Sequence, residues 1–187
     1  MNSSKRTLRV IGGKYRSRQI RVASRPGLRP TPDRVRETLF NWLGQDLTGL
    51  ACLDLFAGSG ALGFEAASRG AARVVMVEKD RATVAELERS RVALGASRVE
   101  IVGGDAAGYL ARARGLFDVV FLDPPFRQNA LPAILGGLPP HLQPGARAYV
   151  ESDAPVEPAS PWIELRRGKA GQVSYQLLQW NANEGQP

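Results

Sequence analysis

Apolar and polar positions follow two different regimes along the chain, with the change near Leu50. In the first regime Thr7 to Ile11 alternates, Gly12-Gly13 offers turn chemistry, and Arg18 to Val22 alternates again through Ile20 and Val22. A hairpin is expected there. Pro26-Gly27 and Pro30-Thr31-Pro32 then punctuate the chain, and Thr31 followed by Pro32 predicts a helix with proline at its first position. Val35, Leu39, Trp42 and Leu43 recur at i, i+4, i+7 and i+8, so one face packs on a core. Arg34 and Arg36 are expected to stay accessible, and Gly44 to end the helix.

Beyond Leu50, short β-rich runs alternate with helical ones. Ala51 to Phe56, Arg73 to Glu78, Val99 to Val102, Phe117 to Leu122 and Ala146 to Ser152 read as strands. Leu62 to Arg69, Arg81 to Leu94 and Ala106 to Arg114 read as helices. This repeated βα pattern predicts an α/β fold, a mostly parallel sheet with helices on both faces and ligands at the carboxyl ends of the strands. Ile163 to Arg167 and Gln172 to Trp180, separated by Gly168-Lys169-Ala170-Gly171, predict a hairpin that adds an antiparallel edge. There is no internal repeat of fixed period.

Length and composition narrow the class. The chain has 187 residues, 43% apolar and 23% charged, which suits one compact domain with a short arm rather than a disordered or coiled-coil chain. No apolar run approaches the ~20 residues of a membrane span, and no apolar stretch follows Lys5 and Arg6 as a secretory leader requires. Cys52, the single cysteine, can form no internal disulfide. The expectation is a cytoplasmic protein without a membrane or metal partner, and a monomer.

Charge changes the picture more. The net charge is +7, yet Met1 to Arg36 alone holds eleven basic residues against one acid, Asp33, which leaves the remaining 151 residues at −3. A basic arm beside a nearly neutral body is what a polyanion binder needs, and it points to nucleic acid. A solvated, non-interacting tail is the plainer alternative.

The candidate chemistry lies at strand ends. Asp54-Leu55-Phe56-Ala57-Gly58-Ser59-Gly60-Ala61-Leu62-Gly63 joins the first strand of the alternation to a helix. Its glycines permit a tight turn close to a nucleotide-like ligand, and the helix start supplies unpaired N–H groups. Glu78, 20 residues past Gly58, is placed to accept hydrogen bonds from vicinal ribose hydroxyls, and Asp105 either accepts from an adenine amine or caps the helix from Ala106. Asp123-Pro124-Pro125-Phe126 follows an apolar strand. The prolines fix the backbone and leave the Asp123 carboxylate and the Pro124 carbonyl as acceptors beside an aromatic ring. Two acceptors and a stacking face suit an exocyclic base amine, whose nitrogen lone pair they can turn towards an electrophile. His141 has no ligand-spaced neighbours; Cys52, Trp42, Trp162 and Trp180 lie in or beside apolar runs and read as packing residues.

In this order, the glycine loop, Glu78, Asp105 and Asp123-Pro-Pro-Phe resemble the class I S-adenosylmethionine-dependent methyltransferases that act on amines. Arg9-Val10-Ile11-Gly12-Gly13-Lys14-Tyr15-Arg16 and Leu28-Arg29-Pro30-Thr31-Pro32-Asp33-Arg34-Val35-Arg36-Glu37-Thr38-Leu39-Phe40-Asn41-Trp42-Leu43 are similar to the N-terminal signature of the RsmD family, bacterial methyltransferases of the guanine N2 amine in small-subunit (16S) ribosomal RNA. Ser17 stands where that family's arm is expected to carry glycine. The resemblance implies a Rossmann-like, seven-stranded fold with a basic hairpin arm at 1–30, a methyltransferase domain at 31–183 and a tail at 184–187. It implies that Asp54, Gly58, Ser59, Gly60, Glu78, Lys79, Asp105 and Ala106 hold S-adenosylmethionine, without metal. Asp123, Pro124, Pro125 and Phe126 would then place the amine. Arg9, Lys14, Arg16, Arg18, Arg29 and Arg34 would grip the ribosomal RNA or the small-subunit particle.

Other readings remain open at this point. An NAD-dependent oxidoreductase fits the glycine spacing and Glu78 but leaves Asp123-Pro-Pro-Phe unexplained and has little room for a second domain. Amine methylation of adenine in DNA or RNA fits the same tetrapeptide. An RNA-binding assembly factor that has lost the chemistry keeps the fold.

Overall fold

A computed structural model describes residues 7–23, 31–125 and 130–182. Arg29, Phe126, the turn at Pro26-Gly27 and the tail at 184–187 lie outside the described residues. The chain opens with a two-stranded antiparallel hairpin, β1 (Thr7–Arg9) and β2 (Gln19–Arg21), in which Leu8 pairs with Ile20. Helix α1 (Asp33–Leu43) follows. A seven-stranded sheet is then built from β3 (Ala51–Asp54), β4 (Arg73–Glu78), β5 (Val99–Gly103), β6 (Phe117–Leu122), β7 (Leu142–Ser152), β8 (Trp162–Ala170) and β9 (Val173–Trp180). Its order is β5-β4-β3-β6-β7-β9-β8, parallel from β5 to β7 and antiparallel at β7-β9-β8. This is the expected α/β class with its antiparallel C-terminal edge. Between strands lie α2 (Ala61–Ser68), α3 (Arg81–Leu94), α4 (Ala106–Leu110) and α5 (Leu131–Gly137).

Strand alternation explains how both faces are covered. Cys52, Val74, Met76, Val119, Phe121 and Tyr149 point to the core beneath α1, α2 and α3; Leu53, Val75, Val77, Val120, Leu122 and Val150 point to the core beneath α4 and α5. Because both faces are buried, these strands read as continuous apolar runs. Buried Cys52 is inert packing, its thiol pushed up to about 12 chiefly by desolvation. Trp42 packs its ring 5.4 Å from Tyr175, and Trp162 is buried with its indole N–H directed to the Leu135 carbonyl. No helix among the described residues is long and apolar enough to cross a membrane.

The structure departs from the sequence expectation in several places: β3 ends at Asp54 rather than Phe56, and β8 runs on to Ala170, so that the hairpin turn is Gly171-Gln172 rather than 168–171. Arg36 is fully buried rather than accessible, because its guanidinium reaches Glu65 on α2 (3.3 Å), Asp33 (2.6 Å) and the Arg9 carbonyl (2.9 Å). Pro32 precedes the helix in an extended conformation, so Asp33 is the first helical residue. Helix α4 stops at Leu110 because Arg112 and Ala113 both turn back to the Tyr109 carbonyl and the residues beyond offer no apolar face. Strand β7 starts four residues early at Leu142, crossing an irregularity at Pro144-Gly145 where its register with β6 shifts. Helix α5 had no counterpart in the sequence reading.

Candidate active site

Five acids stand at or just beyond the carboxyl ends of five parallel strands: Asp54 on β3, Glu78 on β4, Asp105 past β5, Asp123 past β6 and Glu151 on β7. All five line one cavity of about 1460 Å³, larger than a single small-molecule pocket of ~300–1000 Å³ requires and so able to take two ligands side by side. Strand order turns outward on either side of β3, which is where such sheets leave a crevice.

The β3–α2 loop forms the first wall. Gly60 takes φ 78° immediately before α2, and a Cβ there would lie 2.7 Å from the Leu87 and Phe64 side chains, so only glycine closes this turn. Gly58 is also left-handed, and its N–H donates to Glu78 Oε2 at 3.0 Å while Asp80 N–H donates to Oε1 at 2.9 Å. Two backbone amides thus aim the Glu78 carboxylate along the cavity. Asp54 accepts from the Phe56 and Gly63 amides, yet burial outweighs them and pushes its carboxyl up to about 7. It is 2% exposed and braces the loop from below. Asp105 caps α4 by accepting from Gly108 N–H at 2.7 Å, and it also lines the cavity.

Asp123, Pro124 and Pro125 form the facing wall. Pro124 is buried and Asp123 half-buried. Desolvation, then the charges of Glu151 and Asp54, raise the Asp123 carboxyl well above its ordinary range. Ser59, Lys79 and Ala106 also line the cavity, whereas Gly60 acts through the turn.

Several contributors lie outside the sequence expectation, among them Ala133, Ile134 and Gly137 of α5. Thr31, Pro32 and Val35 bring the arm–helix junction into the wall, the tip of the β8–β9 hairpin adds Gly171 and Gln172, and Glu151 stands beside Asp123. The strand-end rule that picked out Glu78 also picks out Glu151. Its signal was therefore present.

The donor set suits S-adenosylmethionine. An oriented carboxylate on β4 fits a ribose diol, the apolar stretch of Leu62, Val77, Ala106 and Leu110 fits a flat base, and a glycine turn fits close backbone approach. Among the described residues, no group of three or more His, Cys, Asp or Glu is placed to hold a metal ion.

The hairpin of the arm docks against α2 through Glu65 and Ser68 and against α3 through Ser90 and Ala93. Arg9, Lys14, Arg16, Arg18 and Arg34 are all exposed, although Arg18 donates to the Ala93 carbonyl at 2.7 Å and Arg9 faces Asp33 at 3.8 Å.

Known proteins match this arrangement along nearly its whole length. A family model described as conserved hypothetical protein 95 matches residues 8–179. "Ribosomal RNA small subunit methyltransferase D" of Escherichia coli is 44% identical over 181 residues, covering 94% of this chain and 91% of that protein. The protein of the same name from Haemophilus influenzae is 40% identical over 185 residues, covering 95% and 96%. Among solved structures, yhhF from Escherichia coli superposes with a TM-score of 0.86 at 43% identity, covering 95% of this chain and 99% of that one. An RNA methyltransferase from Salinibacter ruber, solved with S-adenosyl-L-homocysteine, shares the fold at TM-score 0.60 and 22% identity, covering 82% and 95%. With matches of this extent, arm included, the chain belongs to the ribosomal RNA small subunit methyltransferase D (RsmD) family, class I S-adenosylmethionine-dependent methyltransferases.

Proposed function

We propose that this protein methylates the exocyclic N2 amine of a guanine in small-subunit ribosomal RNA, with S-adenosylmethionine as donor. The observation that carries the reading is the meeting of the β3–α2 glycine turn and Glu78 with Asp123-Pro124-Pro125 across one cavity. The substrate class follows from the relatives' names and the basic arm.

Glu78 holds the ribose of the cofactor, and Gly58, Ser59 and Gly60 let its backbone pass closely, with Asp54 fixing that turn from beneath. Lys79, Asp105 and Ala106 close the adenine side. Bound there, S-adenosylmethionine supplies a sulfonium methyl carbon, which the N2 lone pair takes as the C–S electron pair returns to sulfur. Asp123 and the Pro124 carbonyl accept hydrogen bonds from the two N2–H groups and so point the lone pair at that carbon. The raised proton affinity of Asp123 suits it to receive the proton that N2 loses. Phe126, outside the described residues, supplies the stacking face in this reading. Arg9, Lys14, Arg16, Arg18, Arg29 and Arg34 contact phosphates and help offset the few kcal/mol that unstacking the base costs.

The test is transfer of labelled methyl to small-subunit particles and ribosomal RNA from cells lacking this protein, followed by nucleoside digestion and mass identification. N2-methylguanosine is expected, and Asp123→Ala should abolish it while calorimetry still shows cofactor binding. Methylated adenosine would overturn the base assignment. Loss of both cofactor binding and transfer in Asp123→Ala would overturn the division of roles.

A further inference from the structure

Glu151 is unused by the mechanism above, yet it lies at its centre. The register pairs Leu122 on β6 with Val150 on β7, so Asp123 and Glu151 follow side by side on adjacent parallel strands, and both line the cavity. Strands sit ~4.8 Å apart, near enough for two converging side chains to meet neighbouring groups on one base edge. Two hydroxyls orient Glu151: Tyr149 Oη donates to Oε1 at 3.0 Å and Thr31 Oγ1 donates to the same oxygen at 3.1 Å. Oε2 carries no hydrogen bond among the described residues. The carboxyl plane is therefore fixed from one side, with one acceptor oxygen left over beside the catalytic aspartate.

Resting on the guanine-N2 reading, we propose that Glu151 accepts from the guanine N1–H and is the residue that selects guanine over adenine. In guanine the ring nitrogen next to the amine-bearing carbon carries a proton, so N1–H and N2–H₂ present adjacent donors to Glu151 and Asp123. In adenine the ring nitrogen next to the amine is a bare lone pair. Glu151 would then set acceptor against acceptor in a desolvated site, a mismatch that rejects a base more strongly than a missing contact. Burial raises the Glu151 carboxyl, the Tyr149 and Thr31 hydroxyls oppose that rise, and N1–H acts in the same direction as the hydroxyls. Thr31 gains a role too: it ties the arm–helix junction to the base-reading residue across the cavity wall.

The experiment compares guanine with 2-aminopurine, which keeps the C2 amine but has a bare N1 and no O6. Small-subunit RNA is ligated to carry either base at the nucleotide mapped in the assay above, assembled into particles, and tested for methyl transfer by the wild type, Glu151→Gln and Glu151→Ala. The Gln side chain can keep an oxygen towards Tyr149 and Thr31 while turning its NH₂ to the base. The wild-type preference for guanine is expected to shrink about tenfold or more in Glu151→Gln, the size of one charge-assisted hydrogen bond, with cofactor affinity unchanged. Fluorescence of 2-aminopurine, which rises when the base leaves its stack, should report tighter capture by Glu151→Gln than by the wild type. Glu151→Ala should lower the preference without that gain, which covers a Gln variant that fails to fold. Equal slowing on both bases would mean that Glu151 only braces Thr31 and would overturn the proposal. Absence of methylguanine with the wild type would instead sink the parent reading, before any ratio is measured.

Discussion

At the scale of single residues, the clearest exception to local preference is Ser17. It takes φ 66°, the left-handed region, while its N–H closes the hairpin loop by donating to the Val10 carbonyl at 2.8 Å. A residue with a Cβ gives up about 1–2 kcal/mol there, and glycine recovers most of it after its own entropy cost of about 0.5–1 kcal/mol. Ser17→Gly should stabilise the protein by up to about 1 kcal/mol, seen as a melting point higher by about 2–4 °C, whereas Ser17→Val should lower it. A valine variant as stable as the glycine one would refute the strain. The candidate site was partly legible at this scale because a lone acid at the end of an apolar strand stands out, as Asp54, Glu78 and Asp123 do. Glu151 obeys the same rule but is followed by Ser152-Asp153 with no glycine or proline to mark a special turn. Its partner Thr31 is 120 residues away, a distance over which no local pattern carries information. Arg36 was misread for the same reason: helical periodicity cannot announce that Glu65 arrives to meet it.

Among the elements, α2 holds the design together. Its first residues shape the cofactor loop, and its last residues seat the arm. Glu65 takes the Ile11 and Gly12 amides at 2.9 and 2.8 Å and the buried guanidiniums of Arg36 and Arg69, while Ser68 holds Gly12, Lys14 and Tyr15. Removing Glu65 would strip buried Arg69 of its carboxylate partner and Arg36 of one of its two, a loss of about 3–5 kcal/mol that would confuse any test. Gly13 offers a cleaner one. Its φ is 71°, and a Cβ would fall 1.9 Å from the Ser68 carbonyl oxygen. Gly13→Ala should therefore undock the hairpin: hydrogen exchange at Leu8 and Ile20 should quicken, and affinity for small-subunit particles should fall about tenfold through the cost of re-ordering the arm. Cofactor affinity should not change. Hairpin amides that stay protected would show that the clash is absorbed elsewhere. The order of elements was legible because apolar runs and glycine breaks are local, and β4, α3 and β6 have the expected bounds. Helix α5 was missed although Leu131, Ile134, Leu135 and Leu138 repeat at helical spacing, because Pro132, Gly136 and Gly137 hide that repeat among breakers.

For the whole molecule, the uneven charge is what the fold puts to use. The sequence places ten net positive charges before Glu37, but folding decides how many reach a polyanion. Arg36 is spent inside, Arg18 lies against the Ala93 carbonyl and Arg9 against Asp33, whereas Lys14 and Arg16 are exposed on the hairpin loop and Arg34 on the first turn of α1. Junction residues Thr31, Pro32 and Val35 line the cavity, while the hairpin loop is seated at the far end of α2, on Ser68. Each phosphate contact releases counterions, making log affinity fall with log salt by about 0.7–0.9 per contact. Joint replacement of Lys14 and Arg16 by glutamine should therefore flatten the salt dependence of particle binding by about 1.4–1.8, at unchanged kcat under saturating substrate. Replacing Arg9 and Arg18 together removes the same formal charge but groups already engaged by Asp33 and Ala93, so the slope should change less. Identical slopes for the two double variants would mean that net charge alone governs binding, and that the folded arm presents no particular cations to the RNA.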